Sequence, residues 1–432
     1  MRRSDLLSAM SPCARGIVEM CRRLGCLDER PGMPCPHTRI GNPCIRTQRS
    51  HRSGTIRVCF LFNAQRHQLL HGVSTAARLA QRQDFEVHLA SPNAGHLEYA
   101  KSLVSRLGGA DLRYHRIGSP LLSLAQTVAG GEVPPKALTL LTAASYLNRF
   151  DAIALPERTS LLLRRMGVRR PYFIHLDHGA GDRAAGFDPR IADFDMVLMA
   201  GEKHRARMMR EHLIREGRYA VVGYPKFDAA DAARDPDWRP FADDRPVVLY
   251  NPHFSALGSW ERFGADVLSC FAGQDRYNLI VAPHVRLMDG RVAAGRWAGL
   301  LAEFQDSPRI LIDTGSDRAI DMTYTTLADV YLGDVSSQVY EFLRTPRPCV
   351  FFNAKGVDWQ GDENYGHWRF GPVLDTAADL LDAIDAARRN HPDFLETQVT
   401  GVAETFATGP EAASERAAQA IENYMKRSGQ SE

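Results

Sequence analysis

Short apolar runs alternate with amphipathic segments from residue 56 almost to the end of the chain. Residues 57–62 (RVCFLF), 85–90, 112–117, 151–155 (DAIAL), 172–176 (YFIHL), 195–199 (DMVLM) and 219–222 (YAVV) are too short for core helices and read as buried strands. Between them, 67–81, 97–107, 161–166 and 202–215 carry helical spacing, and 121–147 carries two helical segments interrupted by Gly130, Gly131, Pro134 and Pro135. The pattern stops at 227–245, which is charged, contains prolines and has no long apolar face; it reads as a linker. A second series then begins. Strands are expected at 247–250 (VVLY), 278–282 (NLIVA), 309–312 (RILI), 328–332 and 349–352, helices at 264–271, 297–304 and 338–344, and closing amphipathic helices at 380–388 and 412–425.

Strand–helix alternation of this kind predicts an α/β fold of two Rossmann-like domains facing across a cleft. The expected division is an N-terminal Rossmann-like domain over 55–228, a linker over 229–245 and a C-terminal Rossmann-like domain over 246–427; the resemblance described below implies that the first meets an acceptor and the second a nucleotide donor. The chain's 432 residues suit two cores better than one. No run approaches the roughly 20 apolar residues of a membrane span.

Residues 1–54 stand apart. They hold ten Arg, no Lys and four acidic residues, a local balance of +6, so the remainder carries −4 against a total of +2. The body is therefore not a basic nucleic-acid binder, and no nucleic-acid partner is expected. Five of the eight cysteines, Cys13, Cys21, Cys26, Cys35 and Cys44, fall in this segment without a C-x-x-C, and no apolar signal core accompanies them. The segment reads as a disordered basic leader whose arginines could meet an anionic membrane surface. Cys59, Cys270 and Cys349 sit in apolar runs and read as buried thiols of a cytoplasmic protein.

In doubly wound sheets ligands bind beyond the strands' carboxyl ends, so the turns that follow strands are where chemistry is sought. The most informative is 333–337 (GDVSS), between a strand and a helix. Its free backbone N–H groups and two hydroxyls, Ser336 and Ser337, suit a phosphate, and Glu341 one turn on could reach a sugar hydroxyl. The alternative is that Asp334 or Ser336 merely caps the helix. After YFIHL comes 177–182 (DHGAGD), which places His178 in a glycine-flanked turn, with Asp177 or Asp182 available to orient its imidazole. After NLIVA, His284 and Arg286 could form a cationic clamp. Lys226, after YAVV, is a weaker phosphate contact. No Asp-x-Asp follows a strand and no P-loop motif occurs, so neither a metal-held nucleotide nor P-loop chemistry is expected, and no cofactor is called for.

The run D-V-S-S-x-x-x-E-F-L-x-x-x-R-P-C-V-F-F at 334–352 resembles the signature of the glycerophosphotransferases that use CDP-glycerol, the teichoic-acid polymerase family, within the GT-B superfamily. His178-Gly179-Ala180 is similar to that family's H-G-T motif, with Ala180 for Thr; Asn251-Pro252-His253 is similar to its A-P-T run. Pro283-His284-Val285-Arg286 is similar to its K-x-H-P motif, although the order is altered. The resemblance implies a GT-B transferase. His178, supported by Asp182, would deprotonate an acceptor hydroxyl, and His284, Arg286, Asp334, Ser336, Ser337 and Glu341 would hold the donor. The implied partners are a nucleotide-activated donor, CDP-glycerol or a nucleotide-sugar, and a polyol, sugar or lipid-linked acceptor. The implied setting is cell-envelope polymer synthesis at the inner face of a membrane. Two other readings stay open: a glycosyltransferase or sugar-nucleotide epimerase on the same fold, which Glu rather than Asp at 341 favours, and a non-catalytic binding protein.

Overall fold

The computed structural model describes residues 54–129, 133–288 and 291–430. The basic leader and its five cysteines lie outside the described residues.

Among the described residues, thirteen strands form two wholly parallel sheets. The first contains β1 (Ile56–Leu61), β2 (Phe85–Ser91), β3 (Leu112–Arg116), β4 (Ala152–Leu155), β5 (Tyr172–Leu176), β6 (Met196–Met199) and β7 (Tyr219–Val221), in the spatial order 3-2-1-4-5-6-7. The second contains β8 (Val247–Asn251), β9 (Asn278–Val281), β10 (Ile310–Ile312), β11 (Val330–Gly333), β12 (Cys349–Phe352) and β13 (Val373–Leu374), in the order 10-9-8-11-12-13. Each sheet reverses its order once, between β1 and β4 and between β8 and β11. Those are the two places where the turns beyond the strands diverge and leave a crevice for a ligand.

Because side chains alternate across a strand, each sheet builds a core on both faces. In β1, Val58 and Phe60 join one cluster while Cys59 and Leu61 join the other. In the second sheet, Leu249 and Tyr331 face one way, and Val248, Tyr250, Val330 and Leu332 the other. The strands were legible as apolar runs because both faces are buried. Cys59 and Cys349 are buried as expected, whereas Cys270 is only half-buried.

Beyond the short strand β13 and a helix over Thr323–Leu327, neither of which was expected, four features change the layout. The segment read as one helix over 67–81 is a 3-10 turn, Arg66–His71, followed by a helix, Val73–Ala80. Gly72 joins them where a Cβ would come within 2.8 Å of Leu176 and 2.9 Å of Phe62. The supposed linker opens with a helix, Pro225–Ala233, in which Ala229 and Ala230 are fully buried; its short apolar face hid it. A helix over His391–Thr405 was not anticipated, its apolar residues being too sparse for a periodic signal. The closing helix, Ala413–Gln430, does not complete the second domain. Its Ala417, Ala418, Ile421, Tyr424 and Met425 enter the core of the first sheet, and Ser414 N donates to Asp228 at 2.7 Å. The chain thus returns to the half in which it began, and the second unit is shorter than 246–427.

Candidate active site

The turns after β5 and β11 meet at the junction of the two halves. A Cβ on Gly181 would lie 2.8 Å from the Ser337 Cβ, so only glycine permits this approach. Around that contact the halves are tied by buried polar groups. Asp182 is 5 % exposed. Its carboxylate accepts from the Tyr340 hydroxyl (2.7 Å), the Lys203 ammonium (2.8 Å), and the backbone N and Nδ1 of His367 (3.0 Å each). Burial alone would raise its pKa, but the His367 hydrogen bond and the Lys203 charge hold it well below the usual carboxylate range. Asp182 is therefore a strut between the halves and does not orient His178. Asp177 does not do so either, because its Oδ2 is 3.0 Å from Nδ1 of His204.

Asp334, expected to touch the donor, is fully buried. Its carboxylate accepts from Ser259 N (2.6 Å), Ser259 Oγ (2.8 Å), Val335 N (2.6 Å) and His253 N (3.0 Å). Its carbonyl accepts from Trp368 Nε1 at 2.6 Å. Burial raises its pKa in spite of those donors. Its work is to pin the 253–259 loop beside β11. Ser336 is also buried and donates to Asn251 Oδ1 at 2.9 Å, so it too shapes the loop rather than facing a ligand. Glu341 forms a buried pair with Lys226 (2.7 and 2.8 Å to the two oxygens) and accepts from the Tyr224 hydroxyl at 3.0 Å. That ties Lys226, from the turn after β7, to the second half and removes it as a free phosphate contact.

With the carboxylates engaged in this way, what faces the cleft is a group of imidazoles and two guanidiniums. His178 is half-buried, and its Nδ1 has no hydrogen-bond partner. The His71 ring lies edge-on to it at 6.0 Å between centroids, and the His71 Nδ1 is likewise buried and unpaired. From the other side, His284 is 6.2 Å from His67 and 5.2 Å from His253. Arg286 is exposed, and its guanidinium lies 5.3 Å from the centroid of the Phe254 ring. Arg183 donates to His253 Nδ1 at 3.2 Å.

Burial lowers the pKa of every one of these imidazoles, and neighbouring imidazoles add to it for His67, His71 and His253. His284 falls to about 3 through burial and then the charges of Arg286 and Lys226. His253 falls to about 2, and His67 and His71 lie well below 6.5. His178 is lowered by burial against the opposing pull of Glu157 and Asp177. At neutral pH these rings are uncharged, in a field that an anion would relieve. Among the described residues, no cluster of His, Cys, Asp and Glu is arranged to hold a metal ion.

The structure thus brings together His178, His284, Arg286 and Ser337, and assigns Asp182, Asp334 and Ser336 to the scaffold. It adds His67, His71 and Arg183. The first two follow β1 as His-x-x-x-His in the turn leading into a helix, a spacing that the apolar periodicity of 67–81 had absorbed. Arg183 follows the DHGAGD turn directly.

Two parallel sheets with facing carboxyl ends and a cationic, imidazole-rich cleft define an α/β protein of the GT-B type. The profile of the family described as CDP-Glycerol:Poly(glycerophosphate) glycerophosphotransferase matches residues 159–423, well over half of the chain, and the protein belongs to that family. It is a transferase whose activity is that of a CDP-glycerol glycerophosphotransferase.

Solved structures share the fold at low identity. S. aureus MnaA, in a structure with UDP, superposes with a TM-score of 0.58 at 15 % identity, covering 86 % of this chain and 97 % of its own. The wall teichoic acid polymerase TagF, in a variant soaked with CDPG, gives 0.57 at 14 %, covering 86 % and 89 %. A UDP-N-acetylglucosamine 2-epimerase assigned in Listeria monocytogenes gives 0.54 at 11 %, covering 88 % and 98 %. None of the curated proteins matches in sequence.

Proposed function

We propose that His178 is the general base and that the second half grips the donor's phosphates through His284, Arg286 and Ser337. The acceptor's hydroxyl gives its proton to the unpaired Nδ1 of His178 as its oxygen bonds to the β-phosphorus of CDP-glycerol. The bond from that phosphorus to the bridging oxygen breaks, and CMP leaves with the electron pair. In such a reaction the protein supplies position and charge and little covalent chemistry. The carrying observation is the unpaired His178 nitrogen at the end of β5, with the exposed Arg286 and half-buried His284 across the cleft. A depressed pKa keeps the base unprotonated at neutral pH, as its role requires.

Acceptor and place of action follow from the same reading. A polyol-bearing, lipid-linked polymer would bring the enzyme to the inner face of a membrane as a peripheral protein. Among the described residues no helix is long and apolar enough to cross one. The test is CMP release from CDP-glycerol, followed chromatographically with and without a hydroxyl-terminated glycerol phosphate oligomer. Oligomer-dependent release with lengthening of the oligomer is expected. Turnover of a UDP-sugar in place of CDP-glycerol would overturn the reading in favour of sugar chemistry.

A further inference from the structure

Within the first half, the crevice between β1 and β4 holds polar side chains that the donor reading does not use. Asn63 follows β1 and is 1 % exposed; Gln68, 2 % exposed, and His71, 5 % exposed, lie on the 3-10 turn beyond it. Glu157 and Ser160 follow β4. Ser160 Oγ donates to Asn63 Oδ1 at 3.2 Å, and Gln68 Nε2 donates to Glu157 Oε1. Each link uses only one end of an amide. The Asn63 Nδ2 donor and the Gln68 Oε1 acceptor are left buried without partners, as are the Nδ1 atoms of His71 and His178.

Native interiors pair nearly all buried polar atoms, and each exception costs about 1–3 kcal/mol. Four exceptions around one crevice, at the sheet's own order reversal, mark a place built for a hydrogen-bonding guest. Their character selects the guest. An amide donor, an amide acceptor and uncharged imidazoles beside the Glu157 carboxylate suit groups that both give and accept hydrogen bonds. A phosphate offers acceptors only and would leave the Gln68 acceptor unserved, while the Glu157 charge is already paired with Lys136 at 2.7 Å.

Resting on the transferase reading above, we infer that Asn63, Gln68 and His71 bind the uncharged, vicinal-hydroxyl end of the acceptor and present one of its hydroxyls to His178. These three residues lie upstream of the stretch matched by the family profile, so acceptor selection is carried by a part of the chain that the profile does not cover.

The experiment uses the full chain and two acceptor probes: a glycerol phosphate oligomer ending in a free diol, and the same oligomer with its terminal diol capped by phosphate. Asn63→Ala removes the unpaired donor, together with the oxygen that Ser160 uses, and adds no buried charge. His71→Phe keeps the ring and removes its nitrogens. Each variant should raise the KM for the diol oligomer about tenfold or more, the equivalent of one lost hydrogen bond in a buried site. The calorimetric Kd for CDP-glycerol, which also reports folding, should stay within about twofold. The capped oligomer should be no acceptor for the parent protein. An unchanged diol KM in both variants, or equal use of the capped oligomer, would overturn the inference while leaving the transferase reading intact. Failure of the parent protein to bind CDP-glycerol would instead strike the transferase reading and take this inference with it.

Discussion

Two acidic residues of one turn, Asp177 and Asp182, looked equally able to serve His178, and the structure gives both to other partners. The Asp182 carboxylate is the more consequential, since it gathers Lys203 from its own half and Tyr340 and His367 from the other. Removing one member of a buried ionic network leaves the remaining charge uncompensated, at a cost of about 3–5 kcal/mol. Asp182→Ala is therefore expected to lose stability on that scale in chemical denaturation, with turnover falling only as folded protein is lost. Full stability with a collapsed kcat would return Asp182 to the chemistry. A similar division of roles separates the two serines of the signature. Ser336 faces inward to Asn251, whereas Ser337 stands at the junction with Gly181, and nothing in the pair's sequence tells them apart.

At the scale of elements, the turns after β5 and β11 set the width of the cleft. Gly181 has ordinary backbone angles, so its glycine is required by the neighbour and not by φ. Gly181→Ala should push the Ser337 turn away, lowering kcat/KM by about tenfold or more and costing about 1–3 kcal/mol of stability, as steady-state kinetics beside a thermal melt would show. Wild-type kinetics in that variant would mean that the two turns do not cooperate. The strands that carry these turns could be read from sequence because doubly buried strands are continuous apolar runs: 172–176, 278–282 and 349–352 needed no tertiary information. So too could the positions of His178, His284 and Arg286, which follow from strand ends. The tertiary network could not be read. The partner of Asp177 is 27 residues away and that of Glu341 is 115. The helix Pro225–Ala233 was hidden in a charged stretch because the apolar face it needs is two alanines wide.

Across the whole molecule, the donor side of the cleft gathers imidazoles from both halves, His67 and His284, whose pKa values burial and neighbouring positive charges hold below 6.5. The sign follows from proton counting. Below about 6.5 the unfolded chain binds protons that these folded rings refuse, so the unliganded protein loses stability as pH falls from about 6.5 towards 3, the value to which His284 is depressed. An anionic donor between the halves reverses the repulsion and raises these pKa values. Binding of CDP-glycerol at pH 6 should therefore take up protons, and uptake should shrink as pH rises to 8. Calorimetry in two buffers of different ionisation enthalpy measures this directly, and net proton release would contradict an anion seated among these rings.

The central claim is that the two halves divide the work, with the base on one side and the phosphate grip on the other. Its most direct measurement is a CDP-glycerol titration and a kcat determination on His178→Ala and Arg286→Ala side by side. The account predicts that His178→Ala loses about 10²–10⁴ in kcat with donor affinity unchanged. It predicts that Arg286→Ala weakens donor binding itself, by about 1–3 kcal/mol for a charge-assisted contact. Donor binding abolished by His178→Ala and untouched by Arg286→Ala would contradict it, and would place the nucleotide in the first half.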